Sequence, residues 1–212
     1  MPEADALYSA LDEEITVLRT RYLDGHIPAK PEDDPEAFQY DVKAFCLMSH
    51  AAIEEYMEAL SELMLTKVEA DLLTKKTTLA TATLLTSYGI QLELSDDEGE
   101  ADRSCFDHIR LAVEDAKVRH SRLLRDNHGV SMKYLRKLLI PVGLNVPSGP
   151  KVDSLKKLAE ARGSFAHNMA KLAKYGDYKK ATKVLTPEEA LDASVDCLAI
   201  CSELRDRTAK VW

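Results

Sequence analysis

The chain has few of the residues that break helices and no long apolar run. Its 212 residues include eight glycines and eight prolines, two residue types that destabilise helix interiors. The longest uncharged stretch, residues 77–92, is too short and too rich in Thr, Ser and Gln to span a bilayer. The N-terminus lacks the basic region and apolar segment of a signal peptide. We therefore expect a helical, cytoplasmic protein without membrane contact.

Cysteine is also scarce, and its placement indicates neither disulfides nor a metal site. All four cysteines lie in apolar helical patterns, which favours reduced thiols in the core: Cys46, Cys105, Cys197 and Cys201. The last two are one helical turn apart and could present two metal ligands. No Cys or His pair with metal-site spacing lies near them, so we expect no metal and no other cofactor.

Apolar residues recur at helical spacing along most of the chain, which predicts an all-α fold. We expect one domain over residues 1–212, a bundle of about six to seven helices that includes one short helix. It comprises an N-terminal helix within 1–24, a core over 35–175 and a C-terminal helix within 186–209. The predicted helices are 5–22, 35–74, 77–89, 103–126, a short one after Ser131, 153–175 and 186–208.

Capping residues and apolar stripes refine this prediction. Asp34, Ser131 and Thr186 are suitable N-caps, and Gly89 is expected to close the third helix. Glu54 falls on the side of the longest helix that faces away from its core stripe. The predicted stripes are Phe38, Val42, Phe45, Met48, Ala52, Tyr56, Leu60 and Leu63 on that helix, and Leu191, Val195, Leu198 and Leu204 on the last one.

The net charge of −8 hides a basic segment. Residues 117–183 carry 16 Lys and Arg against 4 Asp and Glu, a net charge of +12, so the remainder carries −20. Such a segment is a candidate surface for an anion or a nucleic acid. The alternative is a set of solvated helix faces that acidic neighbours balance. For His120 and His128, which lie in this segment, we expect surface and helix-end positions.

Arg162 lies in this basic segment, at the centre of an apolar stripe. On a helical wheel of about 100° per residue, the stripe around it consists of Leu155, Leu158, Ala159, Phe165, Ala166, Met169 and Ala173. An unpaired charge in a buried stripe is costly. Arg162 is therefore expected either to bridge to a buried carboxylate or to have a function.

His167 follows five residues later and suggests what that function is. A neutral imidazole can accept the proton of a ribose 2′-hydroxyl, and a guanidinium stabilises charge on a phosphate. The pair suits metal-independent cleavage of RNA, although His167 could also lie on an exposed helix edge. Five helical steps separate the two side chains by about 140°. They converge only if the helix loosens at Gly163 or if a second copy completes the site.

Three segments resemble the HEPN superfamily (higher eukaryotes and prokaryotes nucleotide-binding), in particular its RiboL-PSP and MAE-like branch. The first is His50-Ala-Ala-Ile-Glu-Glu-Tyr56, and the second runs from Asn127-His-Gly-Val-Ser to Gly143. The third is Ala161-Arg-Gly-Ser-Phe-Ala-His-Asn168, which matches the R-x4-H motif of the superfamily. They occur in the order that the family has.

The resemblance implies a bundle that dimerises through its motif helices, with the stripe around Arg162 as the seam and two R-x4-H motifs in one cleft. It implies a metal-independent endoribonuclease that leaves 2′,3′-cyclic phosphate ends, with Arg162 and His167 catalytic. Such enzymes often serve in toxin–antitoxin or antiphage-defence systems, so the expected partners are RNA, a second copy, and a cognate antitoxin or defence protein.

One position departs from the family pattern, which often has a polar residue directly after the arginine. Here that residue is Gly163. The alternative function is therefore a catalytically inactive HEPN-like module that binds a partner protein or a nucleotide.

Further residues are expected to support the site. Glu54 would orient His167 or pair with Arg162 across an interface, unless it belongs to a solvated acidic face. His50 and Asn168 are additional supporting candidates. The basic residues expected to contact RNA are Lys133, Arg136, Lys137, Lys171 and Lys174.

Overall fold

The computed structural model describes residues 1–29, 35–91, 104–126, 129–172 and 185–211, with the backbone alone over 163–172. Within these ranges the chain forms seven α-helices and no strand. They are α1 (Pro2–Tyr22), α2 (Gln39–Leu73), α3 (Leu79–Ser87), α4 (Cys105–Asp126), α5 (Met132–Leu139), α6 (Val152–Leu172) and α7 (Pro187–Thr208). The predicted all-α bundle, with α5 as its short helix, is confirmed.

Local capping signals explain where several helices begin and end. Thr186 accepts a hydrogen bond from the Glu189 backbone N–H (3.1 Å), and the Glu189 carboxylate accepts one from the Thr186 N–H (3.0 Å). This capping box starts α7. Ser131 caps α5 by accepting from the Tyr134 N–H. Gly89 follows α3 with a φ of +61°, as predicted from its tolerance of left-handed backbone.

The start of the longest helix differs from the prediction. α2 begins at Gln39, because Pro35–Ala37 forms a separate 3-10 turn before it. The predicted N-cap, Asp34, lies outside the described residues.

α2 is the centre of the bundle and contacts each of the six other helices. Neighbours therefore cover more than one of its sides, and a single core stripe was too narrow a prediction. Met48, expected in the core, is 45% exposed. Glu54, expected away from the core, is only 13% exposed because Arg162 of α6 lies against it. The buried residues of α2 outside the predicted stripe include Cys46, Ser49, His50, Ile53, Met57, Ser61 and Met64.

α7 buries a face rich in small residues, most of which lie outside the predicted stripe. Val195 was predicted to point inward and is exposed. The buried residues of α7 are Pro187, Ala190, Ala193, Ser194, Cys197, Ile200, Cys201, Leu204 and Thr208. Small side chains allow close approach to neighbouring helices, and the Tyr56 hydroxyl of α2 donates to the Cys201 carbonyl across this contact (3.0 Å).

The cysteines are free thiols, three in the core and one at the surface. Cys46, Cys197 and Cys201 are buried, as predicted. Burial raises the pKa of Cys46 and Cys197 to about 12, so these thiols stay protonated and unreactive. Cys105 was also expected in the core, but it is exposed as the first residue of α4.

His120 lies in a buried hydrogen-bond network, so its predicted surface position is wrong. The Ser61 hydroxyl donates its proton to the Leu138 carbonyl (2.9 Å) and must therefore accept from His120 Nε2 (2.8 Å). His120 Nδ1 then accepts from the Tyr88 hydroxyl (2.7 Å). Burial lowers the pKa of His120 to about 4, consistent with a neutral ring. The network joins α2, the residue that follows α3, α4 and the end of α5. The other histidine of this segment, His128, lies outside the described residues.

We predict that Ser61→Ala lowers the free energy of unfolding by about 1–3 kcal/mol. The substitution leaves the buried His120 Nε2–H and the Leu138 carbonyl without their partner, and an unsatisfied buried polar group costs about this much. Urea denaturation followed by circular dichroism measures the loss. Ser9→Ala is the matched control, because Ser9 lies on the exposed face of α1. Equal effects of the two substitutions would contradict this role of the network.

Candidate functional site

The Glu54 carboxylate is the point at which the candidate site converges. Its Oε1 accepts a hydrogen bond from the Gly129 backbone N–H, and its Oε2 lies 3.4 Å from Arg162 Nη1 on α6. His50, one turn earlier on α2, places its Nδ1 3.6 Å from the same Oε2. One carboxylate therefore connects α2, α6 and the segment that precedes α5.

The burial of these groups explains why they are held together. The Glu54 side chain is 13% exposed and that of Arg162 is 38% exposed, so a largely buried anion meets a cation that still reaches solvent. A charge removed from water requires a partner, and Glu54 has two in the guanidinium and the backbone N–H. The predicted pairing of Glu54 with Arg162 is present, but within one chain.

Part of the apolar stripe around Arg162 is unavailable as a dimer seam. Leu155 and Leu158 are buried, since the first half of α6 packs against α2 and α7 of the same chain. The predicted seam is therefore wrong for these two residues. The side chains of the second half, which begins after Arg162, lie outside the described residues.

His50 is a buried imidazole with an unsatisfied nitrogen. The residue is 1% exposed, and among the described residues no hydrogen-bond partner meets its Nδ1. Burial lowers the pKa of His50, the Arg162 charge lowers it further, and Glu54 opposes both. The His50 ring is therefore neutral at pH 7. The charge of the neighbouring Glu54 carboxylate is compensated by Arg162 instead.

Gly129 has a structural role in the site that sequence reasoning did not assign. Its φ of +115° lies in the left-handed region, where a side chain is strained and glycine is not. This conformation directs its N–H to Glu54. The sequence signal was present, since Gly129 follows Asn-His in the segment that resembles the family, between two predicted helices.

Tyr134 and Glu58 form a second contact between α5 and α2 that sequence reasoning also missed. The Tyr134 hydroxyl donates to Glu58 Oε1 (2.7 Å), one helical turn beyond Glu54. Burial raises the pKa of Tyr134, and the hydrogen bond to Glu58 raises it further. This contact holds the start of α5 against α2 beside Glu54.

The motif helix remains continuous through Gly163, because α6 extends from Val152 to Leu172. The loosened helix that would bring Arg162 and His167 together in one chain is therefore wrong. The backbone of His167, Asn168 and Lys171 lies in α6, but their side chains are outside the described ones, and Lys174 is outside the described residues altogether.

The short helix α5, which follows Gly129, has a basic face. Lys133, Arg136 and Lys137 are exposed, whereas the opposite side of this short helix is buried. α5 begins three residues after Gly129, which contacts Glu54. The three predicted RNA-binding residues that the structure describes thus share the exposed face of the helix that follows Gly129.

The described residues set two further limits. They contain no group of three or more His, Cys, Asp or Glu residues arranged to hold a metal ion. No described helix is long and apolar enough to cross a membrane.

The helical bundle, with an arginine-bearing helix packed on a long central helix, defines an all-α helical-bundle protein. The family model described as RiboL-PSP-HEPN matches residues 16–209, so the chain belongs to this family. The predicted superfamily and branch are confirmed. Comparisons with curated proteins and with solved structures found no match.

We predict that Gly129→Ala lowers the free energy of unfolding by about 1–2 kcal/mol, the cost of a side chain in left-handed backbone. It should also shift the NMR titration of His50, because the Gly129 N–H that fixes Glu54 is displaced. An added Cβ would come no closer than 3.9 Å to Arg162 Nη1, so a clash would not cause the effect.

Two glycines provide controls for this substitution. Gly149 also has a positive φ, +114°, with nothing within 4 Å of an added Cβ, so Gly149→Ala should cost stability without changing the His50 titration. Gly25 has open space and no positive φ, so Gly25→Ala should change neither. The assigned role of Gly129 is wrong if its alanine variant behaves like that of Gly25.

Proposed function

We propose that this protein is a metal-independent endoribonuclease of the HEPN type in which Arg162 and His167 carry the reaction. The observation that carries the proposal is the Arg162 guanidinium of the motif helix, which pairs with Glu54 of α2 while 38% of the Arg162 side chain stays exposed. Membership of the RiboL-PSP-HEPN family supports an RNase-type function.

The proposed chemistry needs only these two side chains and the substrate. The imidazole of His167 accepts the proton of a ribose 2′-hydroxyl, whose oxygen attacks the adjacent phosphorus. Arg162 stabilises the negative charge that develops on the phosphate oxygens. The bond to the 5′-oxygen breaks, that oxygen takes up a proton, and a 2′,3′-cyclic phosphate remains. Lys133, Arg136 and Lys137 bind the RNA backbone, with Lys171 and Lys174 as further proposed contacts.

A second copy of the chain is part of this proposal. Helical geometry separates Arg162 and His167 by about 140°, and α6 is continuous between them. A cleft between two motif helices, in which the arginine of one copy and the histidine of the other meet, resolves this divergence. Asn168 would lie next to His167 in that cleft.

The biological setting is proposed from the family resemblance. A cytoplasmic RNase of this type, built as one domain, would act in a toxin–antitoxin or antiphage-defence system. A cognate antitoxin or defence protein would then control it.

A second candidate is an inactive HEPN-like module that binds a partner protein or a nucleotide. Two observations favour it. The guanidinium of Arg162 already has a carboxylate partner in the free chain, and Gly163 replaces the polar residue that often follows the motif arginine. In this case the protein would bind its ligand without cutting RNA.

We predict that the purified protein cleaves RNA in the presence of EDTA, and that His167→Ala and Arg162→Ala each abolish cleavage. A mixture of the two variants should regain activity that neither has alone, because mixed dimers contain an intact arginine and an intact histidine. Gel analysis of a labelled RNA measures this. His26→Ala is the control, since His26 pairs with Asp41 and should leave cleavage unchanged.

The possible results separate the readings. No EDTA-resistant cleavage by the wild-type protein would favour the inactive module. Full activity of His167→Ala would exclude the assigned base. Cleavage by the wild type but none by the mixture would indicate a site within one chain.

We predict that Lys133→Gln, Arg136→Gln and Lys137→Gln together weaken RNA binding and reduce its salt dependence. Each phosphate contact contributes about 0.7–0.9 to the slope of log K against log salt, so the triple variant should lose up to about 2–3 of that slope. The control is Arg21→Gln with Lys76→Gln, two exposed cations outside the proposed surface. An unchanged salt slope in the triple variant would show that α5 does not contact RNA.

A further inference from the structure

Two basic groups compete for one oxygen of Glu54. Arg162 Nη1 lies 3.4 Å from Oε2 and His50 Nδ1 lies 3.6 Å from the same atom. The other oxygen is bound by the Gly129 N–H. Only one of the two basic groups is charged in the free protein, since His50 is buried, neutral and without a described partner for Nδ1.

Binding of a ligand to Arg162 changes this competition for Oε2. The inference that follows rests on the proposed function, because it requires Arg162 to bind a phosphate. A guanidinium prefers two phosphate oxygens in a bidentate contact. When it turns towards them, its compensation of the largely buried Glu54 is lost. In the described part of the chain, His50 is the remaining basic side chain in reach of Oε2.

We propose that binding of a phosphodiester to Arg162 breaks the ion pair between Arg162 and Glu54. The Glu54 carboxylate then pairs with His50, which takes up one proton from solvent. The Nδ1–H then donates to Oε2, which satisfies both the carboxylate and the nitrogen that lacks a partner in the free protein. His50 is thus a positioning residue that acts on Arg162 through Glu54.

The charges around His50 determine the direction of the effect. Burial lowers the pKa of His50 most, Arg162 on α6 lowers it further, and Glu54 on its own helix raises it, while Tyr134 of α5 is neutral and bonded to Glu58. A bound phosphate neutralises Arg162, so the pKa of His50 is higher in the complex than in the free protein. The affinity for RNA must then rise as the pH falls from the pKa of His50 in the complex to its pKa in the free protein. The rise is at most about tenfold per pH unit.

The other histidines have to be separated from this effect. His128, next to Gly129 in the sequence, is present in both variants compared below, so its contribution cancels in the comparison. His167 would titrate if it lies near the bound phosphate, as the proposed function requires. His120 is bonded at both ring nitrogens within the core, away from Glu54. The test therefore uses His167→Gln as its background, which also prevents cleavage of the RNA probe.

The experiment measures proton uptake when the His167→Gln protein binds a short single-stranded RNA. Isothermal titration calorimetry at pH 5, 6 and 7, each in two buffers with different ionisation enthalpies, gives the number of protons taken up. We expect a clear fractional uptake, up to one proton per Arg162 that binds phosphate, and an affinity that rises as the pH is lowered. In the His50→Gln and His167→Gln double variant, the glutamine amide can donate to Glu54 without a proton. Binding should then persist with the uptake lost.

The outcomes separate this inference from the function on which it rests. Binding without proton uptake, or uptake that survives His50→Gln, overturns the inference and leaves RNA binding intact. No RNA binding by the folded protein overturns the proposed function as well. If the double variant fails to fold by circular dichroism, NMR of labelled histidine in the His167→Gln protein decides. Addition of RNA must move the His50 ring signals to the protonated form, and unchanged signals overturn the inference.

Discussion

A largely buried carboxylate determines how this site is built. Glu54 lies on the central helix of the bundle, and a charge in that position must be compensated. Its partners come from α6 and from the segment before α5, so the same requirement fixes both elements relative to α2. Gly129 directs its N–H to one oxygen from left-handed backbone, which glycine adopts without strain, and Arg162 brings a cation to the other oxygen.

The pairing explains how Arg162 can be satisfied and still be available to a ligand. Ion pairs that reach solvent contribute about 0–1 kcal/mol, and the Arg162 side chain is 38% exposed. Such a weak contact orients the guanidinium and can still be exchanged for a contact with a ligand. A phosphate can accept two hydrogen bonds from the guanidinium, whereas Glu54 accepts one through a single oxygen at 3.4 Å. The pairing with Glu54 and the proposed catalytic role therefore do not exclude each other.

The sequence predicted the helices well, because their signals are local. Thr186, Ser131 and Gly89 mark helix ends through contacts with residues three or four positions away. Burial of α2 could not be predicted in this way, since it depends on how many helices surround it. Glu54 lay away from the core stripe on a helical wheel, but it is largely enclosed in the fold. His120 has the spacing of a core residue after Val113 and Ala116, but its polarity outweighed that signal.

The candidate site was only partly predictable for the same reason. The R-x4-H motif and the resemblance identified Arg162, and the wheel showed that it needs a partner. The identity of that partner depends on contacts between residues 108 positions apart in the chain. Gly129 was visible as a loop glycine, but its hydrogen bond to Glu54 exists only once α2 and the loop are packed together.

The site depends most directly on an energetic coupling between Glu54 and Arg162. A double-mutant cycle with Glu54→Gln, Arg162→Gln and the double variant, each unfolded in urea, measures this coupling. Glutamine keeps an acceptor for the Gly129 N–H, so the cycle isolates the charge interaction. We predict a favourable coupling of about 0.5–1 kcal/mol, as for a pair that is partly exposed. Additive effects of the two substitutions would contradict the account.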